Sequence, residues 1–324
     1  MKWEQPNIIT EARYDREMPS VLATLAAIEQ TQKIPTKEGF PLFCRGYVHP
    51  DHQKNLVIVH GYTEFSEKYS EAVWYFYNAG YNVFVYDQRG HGYSHREIED
   101  GKLIHISSFD RYVDDLEQVI THQVEEQAGG LPITLFGHSM GGAVVVRYLQ
   151  RFPDKIEKAI LCAPMVSPKT HKIPRLLVLR EANRQGKRFG FDKRFPYSGD
   201  FNPRVAFEQT QDQSRARFRA MLNLRLKHPE YQSSTATNGW MREAVKVQDA
   251  LLCKKECKSV VTPVLLLSAQ NDKTVKNKYQ AKLAKRLPNC QMISIEGATH
   301  NIYSGTDGVV SYYYSQIFAF LREE

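Results

Sequence analysis

The sequence predicts an α/β fold in which a mainly parallel, doubly wound sheet is interrupted late in the chain by a helical insertion. Short apolar runs of strand length alternate with longer runs that carry apolar residues at helical spacing. Between residues 165 and 258 the alternation stops and the composition becomes basic. Strands that alternate with helices form parallel sheets covered by helices on both faces, and a late interruption indicates an insertion into such a sheet.

The alternation begins after residue 39. Apolar runs predict the strands Leu42–Val48, Leu56–His60, Tyr81–Tyr86, Ile133–Phe136, Ala159–Ala163, Val264–Ser268 and Met292–Ile295. Helical periodicity predicts the helices Glu67–Asn78, Phe109–Gln127, Gly141–Phe152, Asn277–Arg286 and Val309–Leu321. A further predicted helix, Ser20–Gln32, precedes the first strand and is expected to pack on the sheet as an N-terminal extension.

The length of 324 residues is normal for one large α/β domain that carries an insertion, so residues 1–324 are predicted to form a single domain. The insertion, residues 165–258, joins two strand ends and is expected to form a lid over the sheet. Its predicted helices are Pro174–Lys187, Arg215–Lys227 and Trp240–Leu252.

The formal net charge of +7 is concentrated in the insertion. Residues 165–230 contain 15 Lys and Arg against 6 Asp and Glu, whereas the rest of the chain contains 28 against 30. Such a segment favours an anionic partner. Three classes of partner fit: a phosphate-bearing substrate, an acidic membrane surface and nucleic acid. A solvated lid whose charge improves solubility is the alternative.

No apolar run reaches the ~20 residues that a membrane-spanning helix requires, and the first residues lack the apolar core of a secretory signal. The five cysteines are scattered, which is typical of reduced thiols. Cys253 and Cys257 are four residues apart but lack two further ligands nearby, so no metal site is expected. We expect a cytoplasmic protein, with peripheral contact at the inner face of the cell membrane as an open alternative.

The strongest local signal is the pentapeptide Gly137-His138-Ser139-Met140-Gly141. It follows a predicted strand and opens a predicted helix, where a sharp turn projects a nucleophilic serine and tolerates only small neighbours. The helix N-terminus behind Ser139 favours negative charge that develops during a reaction. A phosphate-binding loop is disfavoured because no Lys-Ser or Lys-Thr pair follows the glycines.

A nucleophilic serine needs a base and an acid that orients the base. In this fold the acid and then the histidine follow the serine along the chain, and Asp272 and His300 follow Ser139 in that order. Each lies after a predicted strand, at the sheet edge where sites form in open α/β sheets. Taken singly, Asp272 also fits a helix N-cap, Asn271 competes with it, and His300 also fits a surface histidine. The joint order and placement favour a triad.

Backbone donors for an oxyanion are expected at Tyr62 and Met140. Tyr62 lies in the run His60–Glu64, where Gly61 directly follows a predicted strand and lets the chain turn toward a substrate carbonyl. Met140 directly follows the predicted nucleophile.

These residues resemble the bacterial lysophospholipases and monoacylglycerol lipases of the α/β-hydrolase superfamily, from about residue 38 to the C-terminus. The resemblance rests on the motif His60-Gly61-x-x-Glu64, the string Asp87–Ser94, the Ser139 pentapeptide with Gly142, Asp272 and His300. It implies the α/β-hydrolase fold and a serine carboxylic-ester hydrolase. His91 belongs to a structural turn and is left out of the site.

Two departures concern the pocket: Phe65 stands where such lipases commonly have histidine, and Tyr62 where the residue is often small. The long, basic insertion favours a lysophospholipase, which releases a fatty acid through an acyl-enzyme. The alternatives are a monoacylglycerol lipase, a general carboxylesterase and a peptidase of the prolyl-aminopeptidase kind; transfer of the acyl group to another lipid alcohol also stays open.

The insertion mixes apolar residues suited to an acyl chain with arginines suited to a phosphate or an anionic bilayer. The apolar ones are Leu176, Leu177, Phe218, Met221 and Leu222, and the arginines are Arg175, Arg180, Arg184, Arg215, Arg217 and Arg219. The expected partner is a lipid-like small molecule. No metal or organic cofactor is expected, because the serine mechanism needs none. Nucleic acid is not expected either, because no recognised nucleic-acid fold or motif accompanies the charge.

Overall fold

This computed structural model describes residues 7–170 and 173–323. A sheet of eight strands forms the centre of the fold. The strands of this sheet are Glu29–Pro35 (β1), Pro41–Tyr47 (β2), Lys54–Val59 (β3), Tyr81–Tyr86 (β4), Ile133–His138 (β6), Lys158–Cys162 (β7), Val264–Ala269 (β9) and Cys290–Ile295 (β10). Two short strands outside it are Leu103–Ile104 (β5) and Thr235–Ala236 (β8). The first six residues, on which the expectation of no secretory signal depended, lie outside the described part, as do residues 171–172 of the insertion and residue 324.

The sheet order is β1-β2-β4-β3-β6-β7-β9-β10. From β4 to β10 every neighbouring pair is parallel, whereas β2 is antiparallel to both β1 and β4. The short strands β5 and β8 pair with each other in a separate parallel sheet. The observed sheet is mainly parallel, as the sequence predicts.

The helices cover both faces of this sheet. They are Glu11–Ile28 (α1), Ser70–Asn78 (α2), Asp110–Val119 (α3), Glu125–Ala128 (α4), Met140–Arg151 (α5), Arg175–Phe189 (α6), Arg215–Lys227 (α7), Asn238–Leu251 (α8), Lys254–Ser259 (α9), Asn277–Ala284 (α10) and Asp307–Arg322 (α11). A π-helical turn, Ile120–Val124, joins α3 to α4, so the long helix predicted there is continuous but locally widened.

Alternate strand side chains enter opposite cores. Val57 and Val59 pack in the core that includes α3, α5 and α8, whereas Leu56 and Ile58 pack in the core that includes α1, α2 and α11. Successive side chains of a strand point to opposite faces, so a buried strand of continuous apolar residues indicates two covered faces.

The predicted helix Ser20–Gln32 is wrong at its C-terminal end. The helix α1 ends at Ile28, and residues 29–35 form the edge strand β1, which pairs with β2 from Glu29 opposite Tyr47 to Pro35 opposite Pro41. This polar, largely exposed strand carries no clear apolar alternation. Its backbone hydrogen bonds to β2 therefore decide its conformation.

The insertion provides α6 to α9 and β8, and it packs on the rest of the molecule at several places. Trp240, Ala244 and Leu251 of α8 belong to the core that contains the predicted nucleophile's helix. On α7, the buried Arg217 donates to both carboxylate oxygens of Glu71 in α2, at 2.9 and 2.6 Å. Neither β8 nor α9 was predicted from sequence. Among the described helices, none has the length and apolarity needed to cross a bilayer.

Candidate active site

Ser139 occupies a strained turn between β6 and α5. Its backbone has φ of 51° and ψ of −115°, outside the conformations that L-residues favour. A side chain at Gly141 would collide with the carbonyl oxygens of Val59 and His60, so β3 approaches this turn too closely for any residue larger than glycine. These local demands explain the small residues around the serine.

The structure joins Ser139, His300 and Asp272 by hydrogen bonds. His300 Nε2 lies 2.9 Å from Ser139 Oγ, and His300 Nδ1 lies 2.7 Å from Asp272 Oδ2. With its proton on Nδ1, His300 donates to Asp272 and leaves Nε2 free to accept the serine hydroxyl proton. All three side chains are buried.

The three residues meet because their strands end at the same edge of the sheet. Asp272 follows β9, and His300 follows the adjacent parallel strand β10. The other oxygen of Asp272, Oδ1, accepts from the N–H groups of Thr274 at 2.7 Å and Val275 at 2.9 Å, which orients the carboxylate. The competing residue Asn271 is exposed, and its N–H donates to the Ala298 carbonyl.

Electrostatics favour an ionised Asp272 and a neutral His300. Burial alone would raise the pKa of Asp272, but the hydrogen bond and charge of His300 and the two backbone N–H donors lower it below its ordinary value. Burial lowers the pKa of His300; the hydrogen bond to Asp272 opposes this effect, and His138 adds to it. A neutral imidazole beside a carboxylate is the state that a general base requires.

Tyr62 and Met140 each present a backbone N–H near Ser139. Met140 is the first residue of α5, so its N–H has no intrahelical acceptor. Tyr62 lies in the turn after β3, where Gly61 N–H donates to Glu64 Oε2 at 2.5 Å and Thr63 has φ of 62°. Within the described part of the chain, neither N–H has a hydrogen-bond acceptor. Both remain available to an incoming oxyanion.

A buried carboxylate, Glu64, lies at the centre of a hydrogen-bond network beside Ser139 and His300. It accepts from Lys68 Nζ at 2.5 Å, Tyr69 OH at 2.7 Å and Tyr303 OH at 2.8 Å, besides Gly61 N–H. Burial would raise the pKa of Glu64, but Lys68 and then His138 hold it well below its ordinary range.

His138 connects this carboxylate to the loop that carries His300. Its Nδ1 lies 3.1 Å from Glu64 Oε2, and its Nε2 lies 3.2 Å from the carbonyl oxygen of His300. The sequence analysis used Glu64 and His138 only as parts of motifs and missed this connection. The signal available in the sequence was that His138 ends one strand, β6, and Glu64 lies in the turn after the neighbouring strand β3.

A cavity of about 480 Å³ surrounds Ser139 and His300. One face of α7 lines it with Phe218, Met221, Leu222 and Arg225, which follow each other at helical i, i+3, i+4 and i+7 spacing. The predicted apolar residues of this helix therefore face the serine.

Of the six arginines that the sequence predicts to bind a phosphate or an anionic bilayer, five pair with acids away from the serine. The pairs are Arg175–Asp249, Arg184–Glu181, Arg215–Glu208, Arg217–Glu71 and Arg219–Asp15, and none of these arginines lines the cavity. The positive surplus seen in the sequence is therefore not concentrated around Ser139.

Within residues 7–170 and 173–323, no group of three or more His, Cys, Asp and Glu side chains is arranged to hold a metal ion. All five cysteines are free thiols.

Comparison with protein families shows which known proteins share this arrangement. A hydrolase family model, described as serine aminopeptidase, S33, matches residues 50–307. The chain belongs to this family. The matched S33 region contains the Ser139 turn, Asp272 and His300, and it includes the whole insertion.

Two bacterial proteins are similar to the chain over most of its length. The chain is 28% identical to a probable lysophospholipase L2 of Haemophilus influenzae over 284 residues, 86% of this chain and 88% of the relative. It is 27% identical to lysophospholipase L2 of Escherichia coli K12 over 274 residues, 80% of this chain and 78% of the relative. Both the resemblance inferred from sequence and the prediction of an ester hydrolase enzyme are confirmed.

Solved structures agree on the fold. A soluble variant of monoglyceride lipase from Saccharomyces cerevisiae, in complex with a substrate analog, superimposes with a TM-score of 0.71. The match has 18% sequence identity and covers 91% of this chain and 96% of the yeast chain. The predicted α/β-hydrolase fold is confirmed.

Proposed function

We propose that this S33 chain hydrolyses the single acyl ester of a lysophospholipid, releasing a fatty acid and a glycerophospho-alcohol. The observation that carries the proposal is the hydrogen-bonded series Ser139–His300–Asp272, which opens into a cavity with an apolar face of three side chains on α7. The lysophospholipases L2 of two bacteria are similar to this chain over most of its length, which supports the same substrate class.

In the proposed mechanism, His300 takes the proton of Ser139 as the serine oxygen attacks the ester carbonyl carbon. Asp272 keeps the imidazole in the required tautomer and stabilises its positive form. The alcohol of the lysophospholipid leaves with a proton from His300, and an acyl-enzyme remains on Ser139. Water, activated by His300, then releases the fatty acid.

The N–H groups of Tyr62 and Met140 bind the oxyanion in this mechanism. Each donor is positioned by the backbone and costs little reorganisation when the charge develops. Removing one such donor typically lowers kcat by about 10²–10³-fold. Since both donors are main-chain groups, the large side chain at Tyr62 changes the pocket shape without removing the N–H.

The insertion acts as the lid of this site in the proposal. Residues from α7 and from the segment before it, including Phe201 and Val205, line the cavity above Ser139. The ring of Tyr62 packs on Trp240 of α8 with ring centroids 3.9 Å apart, which joins the predicted oxyanion turn to the insertion.

We also propose that the outer surface of α6 contacts an anionic bilayer peripherally, at the inner face of the cell membrane. Leu176, Leu177 and Phe189 of this helix are 69%, 53% and 56% exposed. Arg180 and Lys187 lie on the same helix, and neither has a carboxylate within ion-pair distance in the described part of the chain. Exposed apolar residues beside unpaired cations suit the interface of an acidic membrane.

The experiment that tests the main proposal compares three substrates with wild type and Ser139→Ala. They are a lysophospholipid and a monoacylglycerol with the same acyl chain, and an aminoacyl p-nitroanilide, which reports peptidase activity. We expect the highest kcat/KM for the lysophospholipid and a loss of about 10⁴-fold or more in Ser139→Ala.

A higher kcat/KM for the monoacylglycerol would replace the proposal with a monoacylglycerol lipase. Turnover of the anilide above both lipids would replace it with a peptidase. Wild-type rates in Ser139→Ala would overturn the proposed mechanism itself.

A further inference from the structure

Two charged side chains in the cavity around Ser139, Arg225 and Asp212, make no ion pair with any residue that the structure describes. The other charged side chains that line this cavity are Glu64 and Lys68, which pair at 2.5 Å, and Asp200, which pairs with Arg194 at 2.8 Å. In the described residues, no carboxylate lies within 4 Å of the Arg225 guanidinium, and no cation lies within 4 Å of the Asp212 carboxylate.

Arg225 is held in place by neutral groups. Its Nε donates to the carbonyl of Tyr231 at 2.9 Å, its Nη2 approaches the carbonyl of Ser233 at 3.5 Å, and the ring of Phe201 lies 4.2 Å from its guanidinium carbon. The group has five N–H donors, and Nη1 makes no hydrogen bond within the described part of the chain.

Arg225 remains a cation at neutral pH. Burial lowers the pKa of Arg225 to about 10, an effect that the negative charge of Glu64 partly opposes. A half-buried cation without a carboxylate partner is costly, and an anionic ligand would remove this cost. The N–H groups of a guanidinium also match the geometry of phosphate oxygens, which they can bind in pairs.

Asp212 lies in the same cavity, on the side of the loop that carries His300. Its Oδ1 accepts from the side-chain amide of Asn301 at 2.9 Å, and Asn301 directly follows His300. Among the described residues its second oxygen, Oδ2, accepts no hydrogen bond. This oxygen is available to a donor supplied by a ligand.

We propose, on the basis of the lysophospholipid hydrolysis proposed above, that the cavity selects a zwitterionic headgroup. Arg225 binds the phosphate, and Asp212 binds the primary ammonium of an ethanolamine group. One unpaired cation and one unpaired anion match the two charges of this headgroup. A monoacylglycerol would leave both side chains without a counter-charge, and a glycerol headgroup on the phosphate would leave Asp212 without one.

The test measures kcat/KM for three substrates with one acyl chain: lysophosphatidylethanolamine, lysophosphatidylglycerol and monoacylglycerol. We expect Arg225→Gln to lower the ratio of lysophosphatidylethanolamine to monoacylglycerol by about 10- to 100-fold, the usual effect of losing a charge-assisted hydrogen bond. Asp212→Asn keeps an oxygen for Asn301 and should lower the ratio of lysophosphatidylethanolamine to lysophosphatidylglycerol by about fivefold or more.

Arg219→Gln is the matched control, because Arg219 lies on the same helix but pairs with Asp15 outside this cavity. It should change neither ratio. An unchanged ratio of lysophosphatidylethanolamine to monoacylglycerol in folded Arg225→Gln would overturn the phosphate assignment. Equal use of the two lysophospholipids by wild type would overturn the ammonium assignment.

A binding measurement separates failure of this inference from failure of the proposed reaction. Calorimetric titration of wild type with glycerophosphoethanolamine needs no turnover and no variant. Saturable binding that is stronger than that of glycerophosphoglycerol supports the headgroup site, even if lysophospholipid hydrolysis is not observed. Absence of binding overturns it, even if the lipids are hydrolysed.

Discussion

His300 is the residue whose protonation should control activity, because its proton-free Nε2 must accept from Ser139. Burial has the largest effect on the pKa of His300 and lowers it, and the neighbouring His138 lowers it further. Asp272 and Glu64 raise this pKa. The net direction is downward from the ordinary value of about 6.5.

The pH profile follows from that direction. A base with a lowered pKa stays neutral, and therefore active, at pH values where an ordinary histidine is already protonated. We expect kcat/KM to stay high as the pH falls through about 6.5 and to decline only below it. A profile of kcat/KM from pH 4 to 9 at constant ionic strength checks this, and an acid limb centred above pH 7 would contradict it.

Glu64 supports two parts of the site, through Gly61 N–H on one side and His138 on the other. In Glu64→Gln, one acceptor oxygen becomes an NH₂ donor that faces other donors. We expect kcat to fall by about tenfold or more, with a smaller change in KM, because two parts of the site lose a charge-assisted contact.

The same substitution should also lower Tm by several degrees, since it leaves buried donors unsatisfied. The control is Glu99→Gln, at an exposed position that should retain wild-type kcat and Tm. Wild-type kcat in Glu64→Gln would show that the network is not needed to position His300.

Among the helices, α7 lines the cavity with one face and forms ion pairs with the N-terminal helices on another. Its cavity face carries Leu222, whereas Leu226, one turn later, is 47% exposed and does not line the cavity. If the cavity face holds the acyl chain, Leu222→Asp places a charge against it. We expect kcat/KM for a 16-carbon acyl ester to fall by more than tenfold, and for a four-carbon ester by much less.

Leu226→Asp is the matched control for that comparison and should leave the chain-length profile unchanged. An equal loss for long and short esters in Leu222→Asp would indicate general damage and would remove the acyl chain from this face.

The opposite side of α7 attaches the insertion to the N-terminal helices. Arg217 and Glu71 form a buried bidentate pair. Arg219 and Asp15 instead form an exposed pair through one hydrogen bond, and their side chains are 56% and 70% accessible. We expect Arg217→Ala to cost about 3–5 kcal/mol, because Glu71 remains buried without its partner. Arg219→Ala should cost less than about 1 kcal/mol.

Thermal unfolding compares the two arginine variants. Arg217→Ala should lower Tm by roughly 5 °C or more, and Arg219→Ala by about 3 °C or less. Equal shifts for the two would show that the buried pair does not attach α7 more strongly than the exposed one.

At the scale of the whole molecule, the insertion and the sheet share their cores. Trp240 and Leu251 of the insertion pack with residues of β3 and α5, and Ala216 packs in the core on the other side of the sheet. This packing supports the proposal that residues 1–324 form one domain, since α8 cannot leave without exposing core side chains.

The charge of the whole molecule bears on the proposed membrane contact. We expect sedimentation with phosphatidylglycerol vesicles at low ionic strength, weaker binding to phosphatidylcholine vesicles, and release by about 0.5 M salt, which screens the cations. Leu177→Glu should reduce binding. Tyr312→Glu, at an exposed position of α11 outside the insertion, should not. Equal binding of wild type to both vesicles would contradict an electrostatic contact.

The sequence by itself determines the features that depend on short-range chemistry. Alternating apolar strands and amphipathic helices specify two covered sheet faces, and the steric demands of the Ser139 turn appear directly in its small neighbours. The order of Ser139, Asp272 and His300 places them at one sheet edge once the strands are parallel. That topology brings them close enough for the observed hydrogen bonds.

Only the tertiary structure decides the partners of individual charges and polar groups. Arg217 meets Glu71, 146 residues away, and Arg219 meets Asp15, 204 residues away. Arg225 faces the cavity, and no carboxylate in the described part of the chain pairs with it. In sequence these arginines of α7 look alike. The physical reason is that periodicity reports which face of an element is buried, but the nearest opposite charge depends on how distant elements pack.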